Sequence, residues 1–125
     1  MLLDTGVLFD FLGDRGVAGE AERILEAGKG AISAITVFEL YRGVSSKKHL
    51  EQRTKLLSFL HKIDLNEQVA RIAGGVYTDL KQVGRLIENE DILIAATSIY
   101  YSFPLFTTNK RHFNTIPRVQ MHNAD

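Results

Sequence analysis

Short apolar runs alternate along this chain with longer segments in which apolar residues recur every three or four positions. The short runs predict buried strands over residues 1–3, 30–35, 63–65 and 104–108, with 118–122 as a possible short fifth strand. The periodic segments predict six helices. The first begins at the capping residues 4–5, and the others cover residues 18–27, 36–43, 47–62, 66–83 and 90–101. Because strands that alternate with helices indicate βαβ crossovers, the pattern predicts the α/β class. The expected sheet is mainly parallel, has four to five strands, and is covered by helices on both faces.

Length and composition fit one domain over residues 1–125. The chain has 125 residues, of which 45% are hydrophobic and 24% charged. No repeat, linker or long charge block interrupts it, and this apolar fraction excludes disordered and low-complexity classes. Lys and Arg number 15, as do Asp and Glu, so the net charge is zero. Any contact with nucleic acid must therefore come from a local basic patch.

Several kinds of site and location are excluded by residue usage. The absence of cysteine excludes disulfide scaffolds, thiolate zinc sites and cysteine nucleophiles. Asp4 interrupts the first apolar run, so we expect no secretory signal. The longest uncharged stretch, residues 92–109, is too rich in Ser, Thr, Asn and Pro for the roughly 20 apolar residues of a membrane span. We therefore expect a soluble, cytoplasmic protein without membrane association.

Three acidic residues lie close to predicted strand ends. Asp4 follows the first strand, Glu39 lies four residues after the second, and Asp91 opens the helix leading to the fourth. In parallel α/β sheets, ligands bind beyond the carboxyl ends of the strands. Carboxylates brought together there repel one another, and a hard divalent cation with oxygen ligands relieves that repulsion. The three positions predict a Mg²⁺ or Mn²⁺ site that activates water against a phosphodiester.

Each of these acids also has a purely structural interpretation. Asp4 could simply cap the first helix. Glu39 stands three residues after Thr36, which is the spacing of a capping box in which the carboxylate reaches back to the Thr36 amide. Asp91 in a first helical turn would be favoured by the helix dipole. The occurrence of all three after successive strands, among apolar neighbours, favours a shared site over three separate caps.

Four segments of the chain resemble the signature segments of a known family. In order they read LLDTGVLFDFL, AISAITVFELYRG, EDILIAATS and LFTTNKRHF. Together they resemble PIN-domain ribonucleases, and most closely the VapC-type toxins of toxin–antitoxin operons. The resemblance covers essentially the whole chain and implies a three-layer α/β/α sandwich. It also implies an endoribonuclease that uses Mg²⁺ or Mn²⁺ and leaves a 5′-phosphate and a 3′-hydroxyl on its RNA substrate.

The resemblance assigns roles to individual positions. The family's three acids fall on Asp4, Glu39 and Asp91, which would hold the metal. The hydroxyl residue after the first acid falls on Thr5, as a substrate contact, and the threonine that ends the fourth strand falls on Thr107. Together with Thr107 and Asn109, the three acids would form the catalytic site.

This chain departs from the family where further acids are common. Many members place a fourth acid at the position of Asn109, and a second aspartate is common at the position of His112. The number of tightly held metals is therefore open, with Glu88 and Glu90 as the nearest substitutes. His112 could touch a phosphate, although a partly exposed structural histidine is the favoured interpretation.

Basic residues flank the predicted acid cluster. Arg42 follows the helix after the second strand, and Lys110 and Arg111 follow the fourth strand. A phosphodiester strand close to carboxylates needs such neutralising charges, so we expect these three to bind substrate phosphates.

The helices after the first and second strands contain more large apolar residues than one buried stripe requires. The surplus predicts an exposed groove between these helices, which would mark a partner site. In the toxins that this chain resembles, a segment of the cognate antitoxin lies over this region, and homodimers form. The residues concerned are Phe9, Phe11, Leu12, Phe38 and Tyr41.

Two other functions compete with the metal-dependent endoribonuclease. One is a catalytically silent PIN-like module that only binds RNA or protein, for which the missing fourth acid is the best argument. The other is a phosphorylation-switch receiver domain, which Thr107 and Lys110 would suit. That domain needs a phosphoacceptor aspartate at the end of a middle strand, and residues 47–62 predict a helix without one.

Overall fold

Four short parallel strands form the centre of the molecule. The computed structural model describes residues 1–123, and its strands are β1 (Leu2–Leu3), β2 (Ala31–Ser33), β3 (His61–Ile63) and β4 (Leu105–Phe106). They lie in the order β3-β2-β1-β4, and each neighbouring pair is parallel. Since β2 and β4 lie on opposite sides of β1, the order of strands reverses at β1.

Seven helices lie within the described residues. They are α1 (Thr5–Leu12), α2 (Ala18–Glu26), α3 (Ala34–Tyr41), α4 (Lys47–Leu57), α5 (Glu67–Gln82), α6 (Asn89–Tyr101) and α7 (Lys110–Phe113). Four of them begin at a side chain that accepts a hydrogen bond from a first-turn N–H, and these caps are Asp4, Ser33, Ser46 and Asn66. Local sequence therefore determines where most of these helices begin.

The core has two halves, one on each face of the sheet. Because side chains alternate along a strand, Leu2 and Leu105 face α5 and α6, whereas Leu3, Ile32 and Phe106 face α1, α2 and α4. All five of these strand residues are buried. The three-layer α/β/α sandwich with a parallel sheet is thereby confirmed, and short, doubly buried strands explain the continuous apolar runs in the sequence.

The third strand lies two residues earlier than the pattern predicts. α4 ends at Leu57, and β3 covers His61–Ile63 instead of residues 63–65. The His61 N–H donates to the Gly30 carbonyl, and Ala31 pairs with His61 in the ladder. β3 is an edge strand with exposed side chains, so it lacks the apolar run by which the other strands are recognised.

The predicted fifth strand is a single bridge. Met121 pairs in parallel with Leu105, whose N–H donates to the Gln120 carbonyl over 2.8 Å. His122 then bonds through Nε2 to Glu20 Oε1 at 2.7 Å, which attaches this segment to α2. The pairing stops after one residue, so residues 118–122 extend the sheet edge without forming a further strand.

None of the helices in residues 1–123 is both long and apolar enough to cross a membrane.

Candidate active site

The carboxyl ends of β1 and β4 meet where the strand order reverses, which is where α/β sheets bind their ligands. Asp4 follows β1 directly, and Thr107 follows β4. The parallel register pairs Leu3 with Phe106, so the residues that come next on the two strands are neighbours. The sheet topology thus places these two polar side chains side by side at the reversal point.

Asp4 is a buried carboxylate with defined partners on both oxygens. It is only 6% exposed and is the N-cap of α1. Its Oδ1 accepts from the Thr5 backbone N–H at 2.8 Å, and its Oδ2 accepts from the Thr107 hydroxyl at 2.6 Å. Asp4 therefore does cap α1, as the structural interpretation predicts, but the cap uses only Oδ1 and leaves Oδ2 to Thr107.

The environment of Asp4 raises its pKa. Burial, which removes water from the charged form, is the largest cause. The hydrogen bonds from Thr107 and Thr5 favour the charged form and offset part of the effect, whereas the nearby charges of Asp91 and Glu39 add to it. Asp4 therefore lies within electrostatic reach of both other predicted acids.

Glu39 is directed to this site by α3. The capping box predicted for it is wrong, because the helix begins earlier: Ser33 is the N-cap, and its Oγ accepts from the Thr36 N–H at 3.2 Å. Glu39 is therefore free of a capping role, and its Oε1 accepts from the Thr5 hydroxyl at 2.7 Å. Thr5 thus contacts two of the acids, Asp4 through its amide and Glu39 through its hydroxyl.

Asp91 lies in the first turn of α6, whose N-cap is Glu88. Its Oδ2 is 2.7 Å from Nδ1 of His112, and its side chain is 17% exposed. Like Asp4, it is thus a largely buried carboxylate engaged by a partner from the segment after β4. No capping role competes with this contact.

Asn109 connects the Asp4 and Asp91 sides of the site. Its backbone N–H donates to Thr107 Oγ1 at 2.9 Å, and its side-chain amide lies 2.8 Å from His112 Nδ1. One chain of hydrogen bonds therefore joins all three acids, and its members in order are Glu39, Thr5, Asp4, Thr107, Asn109, His112 and Asp91.

His112 belongs to this chain although sequence reasoning left it outside the site. It lies on α7, a four-residue helix that the apolar pattern does not reveal. The available signal was its position three residues after Asn109, which returns a side chain to the same side of a helical turn. Glu88 and Glu90 are the predicted substitutes for a fourth acid. Within residues 1–123, neither side chain forms a hydrogen bond with a member of this hydrogen-bonded series.

The three predicted basic residues differ in their placement. Arg42 Nη2 is 3.7 Å from Glu39 Oε2, and its guanidinium lies over the Phe38 ring at 5.5 Å. Lys110 and Arg111 are exposed on α7, beside the Asn109 and His112 contacts. All three are close in space or in sequence to the acids, and the two on α7 point to solvent.

The chemistry of the donors fits a hard divalent cation. Asp4, Glu39 and Asp91 offer the oxygen ligands that Mg²⁺ and Mn²⁺ prefer, and the charges of two of them disfavour ionisation of the third. In this conformation, no three metal-ligating side chains within residues 1–123 are grouped closely enough to hold an ion. Each acid contacts an internal partner, so a cation that binds all three would have to draw these carboxylates closer together.

An apolar groove lies away from the acids, between α1, α2 and α4. Its lining includes Phe11, Leu12, Leu25, Leu56 and Phe59, with acidic and basic residues at the rim, and its volume is ≈ 400 Å³. Phe9, Phe38 and Tyr41 do not line it, so this groove differs from the one predicted between α1 and α3 and shares only Phe11 and Leu12 with it.

Comparison with known proteins identifies the family. Residues 1–119 match the PIN domain. Ribonuclease VapC1 of Methanocaldococcus jannaschii is 34% identical over 116 residues, which cover 93% of this chain and 80% of the relative. The receiver-domain alternative is thereby set aside.

Solved structures agree with this result. One of them is VapBC2 from Rickettsia felis bound to a DNA fragment from its promoter. It superposes with a TM-score of 0.81 at 32% identity, covering 99% of this chain and 98% of the other. A toxin–antitoxin complex from Klebsiella pneumoniae gives 0.73 at 33% identity, covering 94% and 93%. The chain therefore belongs to the PIN domain family, among its VapC proteins.

Proposed function

We propose that this protein is a Mg²⁺- or Mn²⁺-dependent endoribonuclease and the toxin of a toxin–antitoxin pair. The observation that supports this most directly is the chain of hydrogen bonds that brings Asp4, Glu39 and Asp91 together at the reversal point of the sheet. A relative that is 34% identical over 93% of this chain is named a ribonuclease, which supports RNA as the substrate.

Asp4, Glu39 and Asp91 are the residues that would hold the cation. When bound, a divalent cation lowers the pKa of an attacking water and stabilises negative charge on the phosphoryl group. Thr107 and Thr5 donate their hydroxyl hydrogens to Asp4 and Glu39, and these bonds orient the two carboxylates. Hydrolysis of this kind needs no protein nucleophile.

Substrate binding falls to the basic residues and to Asn109. Arg42 would turn from Glu39 toward a phosphate, since an exposed ion pair of 3.7 Å is weak. Lys110 and Arg111, exposed on α7, would neutralise neighbouring phosphates of the RNA strand. The Asn109 amide can orient water or a phosphate oxygen without adding charge. A local basic patch thereby compensates for the zero net charge of the chain.

Cleavage assays test the enzymatic part. Purified protein should cleave RNA with Mg²⁺ or Mn²⁺ and stop when EDTA is added, and Asp4→Asn should be inactive. Asp64→Asn, at an exposed position outside the site, is the matched control and should retain activity. Cleavage that persists in EDTA contradicts the metal mechanism. RNA binding without cleavage under any metal condition identifies the catalytically silent module instead.

The proposed partner is an antitoxin whose apolar helix occupies the groove between α1, α2 and α4. The solved structure from Klebsiella pneumoniae is a toxin–antitoxin complex, which supports a partner of this kind. Phe59 is 56% exposed at the groove, which leaves its ring available to such a helix. In the free form we expect a homodimer, which light scattering would detect.

Co-expression tests the groove. The small protein encoded beside this gene should co-purify with the wild type, and Phe59→Glu should prevent this because it introduces a charge into an apolar contact. Val83→Glu is the control, since Val83 is 64% exposed and lies outside the groove. Loss of the complex in both variants, or in neither, contradicts the assignment of the groove.

A further inference from the structure

His112 contacts both Asp91 and Asn109 through a single ring nitrogen. Its Nδ1 lies 2.7 Å from Asp91 Oδ2 and 2.8 Å from Asn109 Nδ2. Its side chain is 35% exposed, so the ring has one side against the acid and another toward solvent. The same ring borders a shallow cleft together with Leu86, Ile87 and Glu88.

The two short contacts of Nδ1 restrict where the hydrogen atom is. A carboxylate oxygen only accepts hydrogen bonds, so Nδ1 must have a hydrogen and donate it to Asp91. Nδ1 then has no lone pair left to accept from the Asn109 NH₂ group. The Asn109 amide must therefore turn by a half rotation and present Oδ1 to His112, an exchange of nearly indistinguishable atoms. This conclusion holds whether the ring is neutral or charged, because Nδ1 has a hydrogen in both cases.

We propose that His112 is a positioning residue: its Nδ1–H, shared between Asp91 Oδ2 and Asn109 Oδ1, holds Asp91 Oδ2 so that Oδ1 is directed to the metal. This inference rests on the proposed function, in which Asp91 is a metal ligand. Residues that hydrogen-bond to a metal-ligating carboxylate fix its direction and strengthen binding. A donor suits this position because a carboxylate at residue 112 would repel Asp91 wherever no cation lies between the two.

The arrangement also explains how the site can do without a fourth acid. The Nδ1 atom of His112 donates a hydrogen bond to Asp91, so the same atom cannot coordinate a cation. The segment after β4 therefore supports an existing ligand instead of supplying a new one. The other ring nitrogen, Nε2, takes no part in the contacts with Asp91 and Asn109.

Two substitutions separate the roles of the ring nitrogens. His112→Asn places an amide nitrogen close to the position of Nδ1, whereas His112→Gln places one close to the position of Nε2. By calorimetric titration with Mn²⁺ alone, His112→Asn should bind within about threefold of wild type. His112→Gln and His112→Ala should each bind about 10- to 100-fold more weakly, the usual loss when such a support is removed. Thermal denaturation of all three variants verifies that they are folded.

A spectroscopic signature tests the hydrogen position independently of the metal. In ¹⁵N-labelled protein without metal, the His112 ring should show a protonated Nδ1, and the signal is assigned by its absence in His112→Asn. An unprotonated Nδ1 overturns the inference, as does Mn²⁺ binding that is equal in all variants or is preserved by His112→Gln alone. If wild type binds no Mn²⁺, the proposed function fails and the positioning role with it, even where Nδ1 is protonated.

Discussion

Thr107 donates a hydrogen bond to Asp4 over 2.6 Å, although 103 positions separate the two residues along the chain. The contact forms because β1 and β4 are parallel neighbours with Leu3 opposite Phe106, so both strands end at the same level. A change at either residue therefore alters the hydrogen bonding of the other, at the opposite end of the chain.

Replacement of Asp4 by Asn should remove RNA cleavage while leaving the protein folded. The amide keeps an acceptor for the Thr5 N–H but removes the charge, so about 100-fold or more of the activity should be lost with the metal's contribution. Cleavage rate and thermal denaturation are measured together. An active variant would show that Asp4 only caps α1, a role that Asn retains, and an unfolded one would show that the charge of Asp4 is needed for folding.

Stability should depend on pH through Asp4. Because its pKa is raised in the folded state, chiefly by burial, the folded protein binds the proton more tightly than the unfolded chain. Wild type should therefore lose free energy of unfolding, relative to Asp4→Asn, as pH rises from the ordinary aspartate pKa through the raised value. Above that window the difference should stay constant.

Urea denaturation of both proteins in EDTA at a series of pH values measures this difference. The comparison cancels the titration of the other groups that the two chains share. A wild type that gains stability relative to the variant over this pH window would contradict the raised pKa.

The metal-free site should take up one cation. With three carboxylates ionised, one divalent cation leaves a net charge of about −1, too little to hold a second cation until RNA phosphate arrives. Mn²⁺ should raise the melting temperature, since it binds only the folded state. Calorimetry of wild type should give a stoichiometry of one, and two ions in the absence of substrate would point to Glu88 or Glu90 as an additional ligand.

Substitutions of Asn109 should separate charge from hydrogen bonding. Asn109→Asp should tighten Mn²⁺ binding because it adds a carboxylate that can also accept from His112 Nδ1. Asn109→Ala should slow cleavage without abolishing it, since the backbone N–H that donates to Thr107 remains. Titration and kinetics on both variants give the result, and a completely inactive Asn109→Ala would show that the amide itself is required.

The Thr5 hydroxyl should matter for activity more than for stability. Thr5→Val removes the donor that holds Glu39 Oε1, and we expect about a tenfold slower cleavage. Thr5→Ser should keep most of the activity. Thr36→Val is the matched control, because the Thr36 hydroxyl lies 3.2 Å from that of Thr5 and forms no hydrogen bond with Glu39. Equal losses in Thr5→Val and Thr36→Val would assign both hydroxyls to packing.

Elements with a strong local signal were predictable from sequence. The apolar runs at β1, β2 and β4 and the periodic pattern of α5 require burial wherever they occur, so their type does not depend on the rest of the fold. The sequence pattern misplaced β3 by two residues and did not reveal α7, because an exposed edge strand and a four-residue helix have no apolar pattern of their own. They form because Ala31 pairs with His61 and because Phe113 is buried against α6.

For the site, the sequence by itself determined which acids follow which strands, and parallel strands require such residues to share one edge of the sheet. Only the tertiary structure decided what each acid contacts. Ser33, not Thr36, is the cap of α3, so Glu39 accepts a hydrogen bond from the Thr5 hydroxyl instead of capping the helix. The tertiary structure also placed His112 against Asp91. The physical reason is range: caps and periodic patterns act within a few residues, whereas a hydrogen bond between segments 21 or 103 positions apart depends on how the strands and helices pack.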